Sequence, residues 1–217
     1  MSFVGYSLFW IMSLASSIFR LGAGGARLTD QAPAQKLILY EFEGCPFCRI
    51  AREAISESGI PVVVRPCPKG GERFRPSVSD LGGKAQFPFL IDPNTDRSFY
   101  ESAYIASYVA RTYGVGRPLV HLLGPIGLAL SQFATLARVA AGTLVWRSKQ
   151  NDKPLEFYGA ERHPTARLVK ERLCAMELEY VWNPYTDGSV KLVDPNTGAS
   201  VTGGLPIRLY LADTYRL

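Results

Sequence analysis

The chain repeats itself, and this constrains its fold more than any other feature. At an offset of 118 positions Arg20 falls on Arg138, Ala23 on Ala141, Gly24 on Gly142, Leu37 on Leu155, Tyr40 on Tyr158, Pro46 on Pro164, Arg49 on Arg167 and Glu53 on Glu171, with no gap. Further along the offset drops to 102, where Asp92-Pro93-Asn94-Thr95 meets Asp194-Pro195-Asn196-Thr197, Tyr108 meets Tyr210 and Thr112-Tyr113 meets Thr214-Tyr215. An ordered set of identities with one deletion of about 16 residues points to a duplicated unit, the second copy shortened between its second strand and its DPNT turn.

Each unit reads as alternating elements. An apolar helix at 3 to 20 leads through a Gly/Ala/Pro linker, 21 to 35, into the β-type run KLILYEF, which Glu43-Gly44 ends. In PFCRIAREAISES, Ile50, Ala54, Ile55 and Ser58 share one helical face and Gly59 is a stop signal. IPVVVRP follows as a nearly continuous apolar run of the kind a buried strand has. FPFLIDPNT gives a strand and turn, SFYE a partner strand, and SAYIASYVARTY a closing helix ended by Gly114. The order β-α-β, hairpin, α predicts a small mixed sheet with helices packed on it. The expected division is an apolar helix and linker at 1–35, a first domain at 36–115, a second helix and linker at 116–152, and a second domain at 153–217.

Composition narrows the function classes. With 47% hydrophobic and 20% charged residues the chain can bury a core. A net charge of +5 without any block of five basic residues argues against nucleic acid as a partner. Cysteines at 45, 48, 67 and 174 form neither a secreted disulfide framework nor a paired-CxxC zinc site, which suits a reducing compartment such as the cytoplasm. No charged side chain precedes Arg20, so the N-terminus lacks the basic start of a secretory signal, and its Ser and Gly content leaves it short of the ~20 apolar residues of a spanning helix. On a helix, Phe3, Tyr6, Phe9, Trp10, Ser13, Ser17 and Arg20 form one aromatic stripe with a polar end, the pattern of a helix that docks on something. This helix and its counterpart at about 122 to 138 can pack within the chain, mediate a homodimer, or touch a membrane surface in peripheral association.

Chemistry concentrates in Cys45-Pro46-Phe47-Cys48. A cysteine between a strand end and a helix start sits where free backbone N–H groups and the helix dipole stabilise a thiolate. That makes Cys45 the nucleophile, while Cys48, one helical turn on, is placed to close a disulfide and expel a bound partner. Pro46 suits the first helical position, and Arg49 adds positive charge nearby. A metal site, or a structural and unreactive pair, are the alternatives; zinc would need ligands that the chain supplies only at Cys67 and two distant histidines.

YEFEGCPFCRIAREAISESGIPV, QFPFLIDP and YESAYIASYV, in that order, resemble the thioredoxin-fold family, specifically glutaredoxins and the N-terminal domain of glutathione S-transferases, over residues 36 to 114. The whole chain is similar to tandem proteins with two such domains. The implied fold class is α/β: two thioredoxin-like domains in tandem, each preceded by an apolar helix, the second truncated and degenerate. The resemblance implies a cis-proline at Phe87-Pro88, with the Phe87 backbone pairing with the cysteinyl part of glutathione, and Glu101-Ser102 receiving its γ-glutamyl end. Arg49, Lys69, Arg73, Arg75 and Lys84 are the basic residues nearest the site in sequence and candidates for the glycyl carboxylate, with Arg49 taken into the binding set. An iron-sulfur cluster held with glutathione is a further option the family offers. Cys67, at a strand end, reads as a quiet residue or a third redox partner.

The second copy loses what the first keeps. It has His163 and Ala166 for the two cysteines, Val190 for Pro88, and Gly203-Gly204 for Glu101-Ser102. Two functions stand on this reading. One is a glutathione-dependent thiol-disulfide oxidoreductase acting on disulfide or glutathionylated substrates, with glutathione as co-substrate. The other is a non-catalytic glutathione- or partner-binding scaffold or redox sensor. Conjugating transferase activity ranks behind both, for want of a long helical domain.

Overall fold

A computed structural model describes residues 3–19, 23–26, 32–114, 130–132, 142–186 and 188–217. In chain order the elements are α1 (Phe3–Phe19), β1 (Leu37–Glu41), α2 (Pro46–Ser58), β2 (Val62–Pro66), α3 (Arg75–Gly82), β3 (Phe89–Asp92), β4 (Arg97–Phe99), α4 (Ser102–Thr112), β5 (Leu155–Tyr158), α5 (Pro164–Ala175), β6 (Tyr180–Asn183), β7 (Lys191–Asp194), β8 (Ala199–Thr202) and α6 (Gly204–Tyr215). Of the second apolar segment only 130–132 is described, and it is helical; Arg20, Arg138 and most of the linkers lie outside the described residues.

All eight strands form one sheet in the order β4-β3-β1-β2-β6-β5-β7-β8. Each half has its first two strands parallel and its last two added antiparallel, so the order reads the same outward from the β2–β6 seam. That seam is antiparallel and centred on Val63 opposite Val181, residues 118 positions apart. Val63 and its repeat counterpart therefore face each other at an approximate two-fold axis, and the pairs Val62–Trp182 and Val64–Tyr180 are exchanged by it. The seam also removes the exposed edge that β2 or β6 would otherwise present.

Alternation along the strands sends side chains to two layers. Leu37, Leu39, Val62 and Val64 join Leu155, Phe157, Tyr180 and Trp182 in one continuous core beneath the helices, so the two halves bury a common interior. In the first half the other face is covered too, by a cluster of Tyr40, Cys67, Val78 and Phe89. Val78 comes from α3, a helix absent from the expected β-α-β, hairpin, α order. RPSVSDLG is short and polar and buries only Val78, so it carries no helical periodicity to detect. The second half has no counterpart among its described residues, because its β6–β7 connection is the one shortened by the deletion. Its outer face is accordingly polar, with Tyr158 donating to Glu156 at 2.8 Å.

The repeated DPNT turn has a structural reason. Asp92 Oδ2 accepts from Tyr108 at 2.5 Å and Tyr113 at 2.6 Å, and Asp194 Oδ2 accepts from Tyr210 at 2.7 Å and Tyr215 at 2.6 Å. Asn94 exchanges two bonds of 2.8 Å with the Gln35 backbone, and Asn196 makes the same pair with Lys153 at 2.8 and 3.0 Å. Each turn thus ties the closing helix to the segment entering the first strand. Burial alone would raise both aspartates, but the tyrosine and asparagine hydrogen bonds hold them below the usual carboxylate range.

Where α2 and α5 face each other, the interior is ionic. Arg52 bonds Glu41 and reaches Glu161 and Glu43, each at 3.3 Å, while Lys170 bonds Glu161 and lies 3.9 Å from Glu43. All five side chains are buried. Arg52–Glu161 and Lys170–Glu43 both cross between the halves and are related by the repeat offset. Gly24 and Gly142, at φ 85° and 73°, approach the same cluster so closely that an added Cβ would meet Glu161 Cβ at 2.9 Å or Glu43 Cβ at 2.8 Å. Ser56 donates to the Gly24 carbonyl, and Cys174, its counterpart, donates to that of Gly142. Cys174 is a buried thiol in a serine's role.

α1 packs on α5 of the opposite half by Trp10, Ser13 and Ser17 of the expected stripe, whereas Phe9 of that stripe is exposed. Trp10 donates to Thr165, Ser13 to the Pro164 carbonyl and Ser17 to the Arg162 carbonyl. Arg167 bonds Ser13 and Ser17, and Arg49 bonds Ser16. By the same offset Ser131, in the second apolar segment, donates to the Pro46 carbonyl at 2.7 Å.

Candidate active site

Sheet register assembles the site. β1 pairs Tyr40 with Phe89, and β3 pairs Leu90 with Phe99. Continued one or two residues, these registers set Phe87-Pro88 beside Glu41-Phe42 and Glu101 beside Pro88. The β1–α2 turn closes as Cys45 N–H donates to the Phe42 carbonyl at 3.1 Å. Cys45, the Phe87–Pro88 peptide, which is cis, and the Glu101-Ser102 helix start thus gather at one end of the sheet. Gln86 donates to the Glu101 carboxylate at 2.6 Å and ties two of these segments together.

Cys45 is the N-cap of α2, extended at φ −92° and ψ 122°, with Pro46 opening the helix. Its sulfur accepts the Cys48 N–H at 3.3 Å. A hydrogen bond from the Cys48 thiol lowers the Cys45 thiol below its ordinary range; burial opposes this, and the Cys48 and Phe47 amides and the Arg52 charge add to it. Burial, reinforced by Cys45 and by the Glu41 charge, pushes Cys48 well up. Burial also raises Cys67 and Cys174. No disulfide links the four cysteines, and Cys45 is the least enclosed at 4% exposure. Beneath the pair, burial pushes Glu41 up to about 7 despite Arg52, whereas Arg52 and Lys170 overcome burial to hold Glu161 well below the carboxylate range.

The basic residues divide by environment. Arg49, expected in the glutathione-binding set, is 2% exposed and bonded to Glu53 at 3.1 Å and to Ser16 of α1. In this structure it anchors α1, through Ser16. Arg73 bonds Asn151 and the Glu177 carbonyl of the second half, and Lys84 stands over Tyr100. Arg75 is the one at the site's edge: its guanidinium lies 4.6 Å from the Phe87 ring centre and 5.9 Å from that of Phe42, and it donates to the Cys67 carbonyl at 2.8 Å. The sequence does not single out this arginine, because the fold brings α3 to the ring pair across a gap in the chain.

Glu101 has φ 66° with ψ 110°, unusual for a residue with a side chain, and its counterpart Gly203 has φ 93°. The first half thus keeps a carboxylate at a backbone position the second gives to glycine. In the second half His163 caps α5 without a side-chain hydrogen bond, and Tyr6 of α1 lies so near Gly204 that an added Cβ would meet its hydroxyl at 2.3 Å. The equivalent end of the second half is therefore filled by α1.

A cysteine that caps the helix after the first strand, a cis-proline at the same end of the sheet and a helix start opposite define a thioredoxin-like domain. Residues 39–118 match the family model of the glutathione S-transferase N-terminal domain, so this part of the chain is similar to that domain. No curated protein and no solved structure matches the chain.

Proposed function

We infer that the protein is a glutathione-dependent thiol-disulfide oxidoreductase made of two thioredoxin-like halves, only the first of which carries the chemistry. The observation that supports this most is the place of Cys45 as the N-cap of α2, its sulfur accepting the Cys48 N–H at 3.3 Å, an arrangement that favours its thiolate while burial disfavours that of Cys48. The Cys45 thiolate attacks the glutathione sulfur of a glutathionylated substrate, and the substrate leaves as a thiolate that takes up a proton. A second glutathione thiolate then attacks that sulfur, giving oxidised glutathione and restoring Cys45. Alternatively Cys48 attacks Cys45, expels glutathione and closes a disulfide that two further glutathione molecules reduce. Phe87, Glu101 and Ser102 orient the tripeptide, and Arg75 replaces Arg49 as the candidate for its glycyl carboxylate.

The test is turnover of a small glutathione mixed disulfide by the purified protein. Saturable turnover that Cys48→Ser retains in part is expected. A folded protein that binds glutathione but turns nothing over would favour the scaffold or sensor reading, which draws support from the 4% exposure of Cys45 and from the Ser131 hydroxyl on Pro46.

Glu101 offers a second check. If its carboxylate is kept for the γ-glutamyl ammonium, Glu101→Gly weakens glutathione binding about tenfold, the scale of one charge-assisted hydrogen bond. The same change relaxes the backbone, so the thermal midpoint holds or rises. Lower stability with unchanged binding would make Glu101 a purely structural partner of Gln86.

A further inference from the structure

The two halves differ where their paired helices run side by side. In the first half α2 meets α4 through Ala54 and Ala106, both fully buried beside Ile50, and an added Cβ on Gly114 would meet Ser58 Oγ at 2.7 Å. At the repeat offsets the second half has arginine at all three places: Arg172 on α5, Arg208 on α6 and Arg216 at the end of α6. A closed apolar seam is thus replaced by three cations. Trp146 reaches the same place because its N–H donates to the Ala175 carbonyl at 2.6 Å, and its ring centre lies 4.4 Å from the Arg172 guanidinium. Lys149 N–H donates to the Tyr215 carbonyl at 2.7 Å, so residues 146–149 run across the ends of both helices. Arg208 donates to the Leu168 carbonyl and lies 3.6 Å from Glu171. Arg172 has no such partner among the described residues. It is 8% exposed, and its Nε is buried without a hydrogen-bond partner. Burial, then the Arg208 and Arg216 charges, push it down to about 10, against Glu171.

We propose that Arg172, Arg208 and Arg216 form a site for a phosphate group, free or esterified, that only the second half carries. A buried cation without a partner is costly, and the approach of two more cations adds to that cost. A bound dianion turns each of these repulsions into an attraction shared through the ligand. The helix dipole favours a cation in a last turn, which accounts for Arg172 and Arg216 but not for Arg208, inside α6. Several guanidinium N–H groups around one point suit a phosphate, whose oxygens accept from more than one arginine at once. Trp146 is 44% exposed and Arg216 is exposed, so the cluster opens to solvent and a ligand can reach it. The Trp146 ring holds the Arg172 plane in place for it. This site does not rest on the thiol chemistry of the first half.

The test is thermal unfolding of the full chain with rising inorganic phosphate, the ionic strength held constant with sodium chloride. A saturable rise of the midpoint is expected. Arg172→Met should abolish that rise. Arg216→Gln, at an exposed position, should keep the fold and raise the dissociation constant about tenfold, the scale of one charge-assisted contact. Arg75→Gln, at the edge of the first half's site, should leave the response intact. A second titration with glycerol phosphate separates the sources: a response to both ligands extends the site to phosphate esters, and a response to the inorganic ion alone assigns it to free phosphate. No rise beyond the chloride control, an unchanged rise in Arg172→Met and Arg216→Gln, or a rise lost in Arg75→Gln would overturn the proposal.

Discussion

Cys45→Ser is expected to abolish glutathione-dependent turnover, leaving only uncatalysed exchange. A serine hydroxyl stays protonated near neutral pH, and no other thiol can substitute. Cys48, Cys67 and Cys174 are all more deeply enclosed than Cys45 and all raised by burial, whereas Cys45 is lowered. The same contrast predicts alkylation of one cysteine per native chain by iodoacetamide, a reaction lost in Cys45→Ser. Its rate should follow the thiolate fraction, reaching its plateau at a lower pH than for an ordinary cysteine because the Cys45 thiol is lowered. Cys48→Ser should keep turnover within about tenfold, since glutathione itself can release the mixed disulfide. Alkylation spread over several cysteines, or turnover that survives Cys45→Ser, would remove Cys45 from the role assigned to it.

Arg52→Met should be the most damaging single change to stability, at about 3–5 kcal/mol near neutral pH. The guanidinium is buried and serves Glu41, Glu43 and Glu161 together, besides donating to the Glu43 carbonyl at 3.2 Å. Without it Glu41 loses the cation bonded to it and Glu161 loses the larger of the charges that stabilise its carboxylate. Glu41, already raised by burial above the unfolded value of about 4.3, rises further, and Glu161 loses the arginine that most holds it down. Stability from a group raised on folding is present below the unfolded pKa and lost as pH rises through the folded one. Glu41 already stands at about 7, so the deficit of the variant should be widest at pH 7 to 8 and narrow towards pH 5. Denaturant melts at the two pH values measure it. A deficit independent of pH would mean that lost packing of the arginine stem, not unpaired charge, sets the cost. Adding Glu161→Gln should recover part of the loss, because it removes one of the stranded charges.

The CPFC turn was legible because its determinants are local. A proline at the first helical position, a cysteine before it and Gly59 at φ 71° after the helix are short-range features with one backbone solution. The inward stripe of α1, Tyr6, Trp10, Ser13 and Ser17, was legible for the same reason of spacing. The exposure of Leu8, Ile11 and Ile18 passed unnoticed, since they look like core until the fold leaves them outside. α3 escaped because an eight-residue helix that buries a single valine has no period. The ionic cluster escaped because Glu43, Arg52, Glu161 and Lys170 have the composition of a solvated surface, and only the meeting of α2 with α5 buries them.

By itself the sequence determined the identities at a constant offset, the strand-turn-helix around CPFC, and which copy of the pattern keeps the thiols, because such identities and local turn chemistry survive in one dimension. Tertiary structure alone decided that β2 and β6 join eight strands into one sheet, that Arg49 anchors a helix while Arg75 reaches the site, and that α1 fills the second half's empty end. Those outcomes depend on edges, charges and helix faces that meet across more than a hundred residues, where burial and pairing are set by the partner and not by the neighbours in the chain.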